Sequence, residues 1–104
     1  MNTERHKRIE AAIRISKKHF LGECIISATQ PVDGAHLFPR STHPHLSYIP
    51  QNIVPLSRRL HYTMDQLPRA ADSITFLRKN VNPEHRKTLE AWLIDLLQVI
   101  AEAA

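Results

Sequence analysis

Apolar residues recur at helical spacing at both ends of this chain and scatter in its middle. Near the start, Ile9, Ala12, Ile13, Ser16 and Phe20 fall on one side of a helix. The spacing predicts a first helix after Thr3, which serves as N-cap, ending at Gly22, a residue suited to a helix C-terminus. Near the end, Asn82 as cap, Pro83 at the first turn and Glu84 behind it mark the start of the last helix. From there Leu89, Trp92, Leu93, Leu96, Leu97 and Ile100 form a continuous apolar stripe. Such a stripe predicts core, and its width leaves part of it for a homodimer interface. A further helical segment near Ala70 to Lys79 turns Ile74, Leu77 and Phe76 inward.

The middle reads differently. Prolines concentrate from Pro31 to Pro68, and the only glycines are Gly22 and Gly34. Two short extended segments are expected at about residues 31–38 and 51–56, joined by a polar loop from Pro39 to Pro50. A short helix follows from Ser57, a good N-cap, to about Gln66, because Pro68 ends it. The expected fold class is α+β. The whole of 1–104 forms one domain, with a small hairpin-plus-helix core flanked by helices at about 4–21 and 70–103.

Totals narrow the class. At 104 residues there is room for one modest core. A composition 42% hydrophobic and 23% charged is that of an ordered globular chain rather than a disordered one. No apolar run approaches the ~20 residues of a membrane span, and no apolar segment follows the N-terminal charges as in a secretory signal. A single cysteine, Cys24, forms no internal disulfide and predicts a reducing, cytoplasmic setting. Residues 1–61 carry nine basic and four acidic side chains, whereas residues 62–104 carry five and six. A basic front predicts a polyanion as partner. Lys7, Arg14, Lys17 and Lys18 lie largely off the first apolar stripe, either as a plain solvated face or as a phosphate-binding flank.

The candidate chemistry lies in the middle. His61 and Asp65 are four residues apart, on one face of the short helix, where an imidazole and a carboxylate can share a divalent cation. Asp65 also sits near a helix C-terminus, which disfavours negative charge by ~0.3–1 kcal/mol, and a cation would offset that. Taken alone, the pair reads more readily as a solvent-exposed aspartate with no partner. His36 ends the first extended segment and Asn52 begins the second, so the amide is placed to fasten the loop between them.

The run Ala35-His36-Leu37, the string Asn52-Ile53-Val54-Pro55-Leu56-Ser57-Arg58-Arg59-Leu60-His61, and the spacing onward to Asp65 resemble the HNH endonuclease family. That family has a β-hairpin packed on a helix around one metal, the ββα-metal or His-Me finger. The resemblance covers roughly residues 24–66. It implies His36 as general base, with an ordinary pKa near ~6.5 suited to that task. It further implies His61 as metal ligand, Asp65 as a second ligand, and Asn52 as the residue that orients His36 through the loop. DNA, with RNA as the alternative, would be cut to a 5′-phosphate and a 3′-hydroxyl. The cofactor implied is one divalent cation, Mg²⁺ first, with Mn²⁺, Ni²⁺ or Zn²⁺ also compatible with such ligands.

Two departures stand out. Family members commonly carry Asp or His just before the base, where this chain has Ala35; Asp33 is the nearest carboxylate and the candidate third ligand, with Gly34 expected to let the backbone bend it into reach. Relatives often hold zinc between two Cys-x-x-Cys pairs, but the matching places read Cys24-Ile25-Ile26-Ser27 and Ser57-Arg58-Arg59-Leu60, which excludes a tetrathiolate site. Arg58 and Arg40 are the candidate phosphate contacts, and His43 and His45 in the loop are weaker ones. The alternatives are a DNA-binding module of the same fold that has lost catalysis, and a mainly helical interaction protein with incidental histidines.

Overall fold

The computed structural model describes residues 3–103. In chain order it comprises α1 (Thr3–His19), β1 (Asp33–His36), β2 (Ile53–Leu56), α2 (Arg58–Asp65), α3 (Ala70–Asn80) and α4 (Arg86–Ala103). Single 3₁₀ turns stand at Pro44–Leu46, Pro50–Asn52 and Pro83–His85. The fold is mixed α+β and mostly helical, and no described helix is long and apolar enough to cross a membrane.

Helix α1 buries Ile9, Ala12 and Ser16, and Phe20 just beyond it is sealed in the core. Thr3 lies within the helix rather than as a cap outside it. The helix stops three residues before Gly22. Gly22 N–H donates to Lys17 O (2.7 Å) and Leu21 N–H to Lys18 O (3.2 Å), the paired bonds of a Schellman ending. Leu21, not a glycine, takes the left-handed position that this ending requires, at φ 62°, with Gly22 following at 71°.

Strands β1 and β2 pair antiparallel in the register Asp33 to Leu56, Gly34 to Pro55, Ala35 to Val54 and His36 to Ile53. Both are shorter than the predicted segments, and β2 starts late because residues 50–52 turn instead of extending. Leu37 N–H donates to Asn52 O (2.9 Å) beyond the last ladder pair. On the other edge of β2, Ile25 N–H donates to Pro55 O (3.1 Å), and Ile25 O accepts from Asn82 N–H (2.8 Å). Every residue of β2 is therefore buried.

The Ile53 carbonyl ties three elements together. It accepts from Ser16 Oγ of α1 at 2.6 Å and from Trp92 Nε1 of α4 at 2.9 Å. Trp92 also stacks on His19 (4.3 Å between centroids) and meets the edge of Phe20 (5.5 Å). Helix α4 begins as the sequence predicts: Asn82 Oδ1 accepts from Glu84 N–H at 3.0 Å, ahead of Pro83–His85 and the helix proper. Leu89, Trp92, Leu93 and Leu96 are buried and Ile100 packs against the core. Leu97 is not part of that stripe; it lies exposed, as does Ile94. On α3, Leu77 is buried, Ile74 and Phe76 are half-buried, and Ser73 takes an inward place as well.

Ser57 occupies the N-cap position of α2, but its hydroxyl makes no capping bond. Cys24 is buried, and its Sγ accepts from Ser27 N–H at 3.4 Å. Burial acts to raise its pKa; hydrogen bonds from Ser27, Ser57 and Ile26 outweigh that and hold the thiol below its usual value. Cys24 and the start of α2 thus meet through the thiol and backbone N–H groups.

Gly34 serves space rather than backbone bending. A Cβ at this position would lie 2.8 Å from both Cγ1 and Cγ2 of Ile13, so the missing side chain lets α1 close on β1. Gly34→Ala is expected to destabilise the protein by about 1–3 kcal/mol through overpacking. Adding Ile13→Ala should recover at least about 1 kcal/mol relative to the sum of the two single changes. Urea denaturation midpoints of the four proteins check this; strict additivity would contradict it.

Candidate functional site

Alternation along β1 puts Gly34 and His36 on one face and Asp33 and Ala35 on the other. Ala35 is fully buried in the core, so the position before His36 faces away from any site. Gly34 and His36 border a cleft of about 340 Å³ together with Ile13, Pro39, Arg40, His61 and Asp65. Folding therefore brings His36, His61, Asp65 and Arg40 to one surface depression, from β1, the loop and α2.

His36 is half-buried, and its Nε2 lies 2.9 Å from Ser47 O. A carbonyl only accepts, so Nε2–H is the donor and the neutral ring keeps its lone pair on Nδ1. Burial lowers the His36 pKa below its ordinary 6.5, with Arg40 and His61 adding to the effect; the bond to Ser47 and the charge of Asp65 oppose it without cancelling it. The imidazole is thus neutral, and able to accept a proton, at neutral pH.

Asn52 holds the frame around that ring. It is fully buried. Its Oδ1 accepts from Phe38 N–H at 2.8 Å, and its Nδ2 donates to Phe38 O and Leu46 O, both at 3.1 Å. One amide therefore spans both ends of the loop, and the segment it grips runs on to Ser47, the acceptor for His36. No described buried side-chain polar atom lacks a partner.

On α2, His61 directs Nδ1 at Asp33 Oδ2 (3.2 Å) and Nε2 at Asp65 Oδ2 (3.4 Å). Arg58 reaches Asp33 Oδ1 at 3.4 Å from a largely exposed position. The hydrogen bond to His61, with Arg58 beside it, holds the Asp33 carboxyl below its usual range although burial acts the other way. Asp33 does not border the cleft; it lies behind His61, on the far ring nitrogen. Among the described residues, no three His, Cys, Asp or Glu side chains form a ready metal cage. The physical reason is the imidazole itself, since its two carboxylate neighbours sit on opposite nitrogens. His61 Nε2 and Asp65, side by side on the cleft, are a nitrogen and oxygen pair of the kind that divalent metals accept.

The remaining candidates divide. Arg40 lies on the rim of the cleft, whereas Arg58 is engaged with Asp33. His43 and His45 stay in the loop and do not border the cleft; His43 bonds Thr42 Oγ1 (2.9 Å) and meets the edge of Phe38. Lys7, Arg14 and Lys18 are exposed on α1, but none borders the cleft. Sequence reasoning missed Ser47, which acts through its backbone carbonyl and so leaves no side-chain signal. It also missed Ile13, whose place on the cleft follows only from the docking of α1 at Gly34. No family model, curated protein or solved structure matches the chain.

Two outcomes follow from this geometry. Asn52→Ala strands buried backbone groups at Phe38 and Leu46 and is expected to cost at least about 2 kcal/mol, read from the denaturation midpoint. Histidine titration by NMR should place the His36 midpoint below 6.5. Since the unfolded chain then binds the proton more readily, the stability tied to this residue is complete above 6.5 and declines as pH falls from there toward the lowered folded value. A midpoint at or above 6.5 would contradict the burial argument.

Proposed function

We propose that this protein is a metal-dependent endonuclease of the HNH kind, hydrolysing phosphodiester bonds in DNA. The observation that carries the proposal is the cleft itself: a half-buried His36, with one nitrogen committed to Ser47, shares it with His61, Asp65 and a rim arginine. In this reading β1, β2 and α2 are the hairpin and helix of a ββα-metal core, and α1, α3 and α4 provide the stability that a structural zinc provides in relatives.

His36 Nδ1 takes a proton from the attacking water, whose oxygen forms the new bond to phosphorus as the bond to the 3′ oxygen breaks. The 3′ oxygen leaves, gains a proton from solvent and becomes the 3′-hydroxyl; the 5′ side keeps the phosphate. The Ser47 carbonyl fixes the tautomer that makes Nδ1 the base, and Asn52 fixes Ser47 through the loop. Arg40 positions the backbone by charge without reading bases. His61 Nε2 and Asp65 would hold a divalent cation. Asp33 then serves as the carboxylate on the other ring nitrogen, orienting the imidazole, as is usual for ligating histidines. When bound, such a cation supplies positive charge to the phosphate and the leaving oxygen.

A second reading is a DNA-binding module of the same fold without catalysis. It is favoured by the buried Ala35 in place of a ligand and by the lack of a ready three-donor cage among the described residues. Supercoiled plasmid separates the two. With Mg²⁺ or Mn²⁺ the wild-type protein is expected to nick it, and a chelator to stop the nicking. His36→Ala should lower the rate by roughly 10²–10⁴-fold with DNA binding retained. Retarded but intact plasmid under all metal conditions would overturn the enzyme reading in favour of the module.

A further inference from the structure

Arg40 borders two depressions, not one. Besides the cleft with His36, it lines a second, more open hollow of about 430 Å³ with Arg5, His6, Ile9 and Ser41. The two meet at a single guanidinium, and α1 walls both, through Ile13 in the first and through Ile9, His6 and Arg5 in the second. Residues 5, 9 and 13 are four apart, so they form one row along the helix. That row runs about 12 Å at 1.5 Å per residue. At 3.4 Å per step, about 12 Å corresponds to between three and four nucleotides of duplex rise.

Among the described residues, two arginines, Arg5 and Arg40, line the second hollow. His6, on its lining, is paired with Glu10 at 2.9 Å on the exposed side of α1. Arg8 stands 3.9 Å over the Tyr48 ring, which ties this end of α1 to the loop that carries Ser47. The wall of the hollow is therefore attached to the same loop that orients His36.

We propose that this hollow is a second phosphate subsite, so that a DNA strand lies along α1 from Ile13 to Arg5, with Arg40 at the joint between the subsites. The substrate is then a polynucleotide extending several nucleotides past the cut on that side, not a mononucleotide or a small phosphodiester. This inference rests on the polyanion part of the nuclease reading and is independent of catalysis. The determinant, Arg5, lies outside the segment that resembles HNH enzymes.

The test is fluorescence anisotropy with a labelled duplex oligonucleotide in chelator, where no cutting occurs, across a range of salt concentrations. Each phosphate contact contributes about 0.9 to the slope of log affinity against log salt. Arg5→Ala and Arg40→Ala are each expected to make that slope shallower by about 0.9, and the double variant by about 1.8. Arg5→Lys should keep the wild-type slope because it keeps the charge. Lys79→Ala, on α3, serves as the control and should leave the slope unchanged. Shortening the duplex until only the cleft is covered should make Arg5→Ala silent while Arg40→Ala still registers. Circular dichroism confirms that each variant is folded. An unchanged slope for folded Arg5→Ala, or no binding by the wild-type protein, overturns the inference. Intact plasmid with a shifted slope removes the nuclease reading and leaves the strand track standing; nicked plasmid with an unshifted slope removes the track alone.

Discussion

The structure depends most on what happens at Asn52 and Ile53. The Asn52 side chain is sealed from water and spends three hydrogen bonds on the loop backbone at Phe38 and Leu46. The next carbonyl, Ile53 O, receives the hydroxyl of Ser16 and the indole N–H of Trp92. Within two residues the chain fastens its loop on one side and its two longest helices on the other. Buried polar groups are costly when unpaired, so each of these bonds specifies one arrangement and penalises the others. The position of His36 is a consequence. Its ring is held by Ser47, Ser47 follows the loop, and the loop follows Asn52.

This coupling explains how so small a chain can hold a half-buried, neutral imidazole. The hairpin has only two short strands, which alone would be marginal in water. Here β2 is covered along its length: β1 pairs with one edge, Ile25 bonds the other at Pro55, and the terminal helices close over it. The absent side chain of Gly34 allows α1 to approach β1 closely enough that Ile13 becomes a wall of the cleft. Packing of the flanking helices and construction of the cleft are one event, not two.

Electrostatics divide the cleft into two halves with different tasks. Around His36, burial and neighbouring positive charge favour the neutral ring. Around His61, Asp33 and Asp65 lie at opposite ring nitrogens, and Arg58 sits beside Asp33. Under the proposed function, a proton acceptor beside a nitrogen and oxygen pair able to take a cation is the division of labour that phosphodiester hydrolysis needs, because a proton must leave the water while positive charge is supplied to the phosphate. Arg40 adds a positive charge to the rim of the cleft that Asp65 also lines.

Much of this was legible in the residues alone. The helices at both ends, the start of α4 at Asn82 and Pro83, and the extended pieces around His36 and Ile53 follow from local periodicity and from caps that act within a few residues. The gathering of His61 and Asp65 follows from helical spacing, since neighbours four apart must share a face. Other features had no local cause. The helix end at Leu21, the exposure of Leu97, and the bonding of Asp33 to the far nitrogen of His61 depend on which surfaces meet. So do the close approach of Ile13 to Gly34 and the placing of Arg5 and Arg40 on one hollow across thirty-four intervening residues. Sequence determines what each segment prefers and which side chains carry chemistry, because those preferences are short-range. Which of them face one another was decided only by tertiary packing, since burial and hydrogen bonding are satisfied by the whole chain at once.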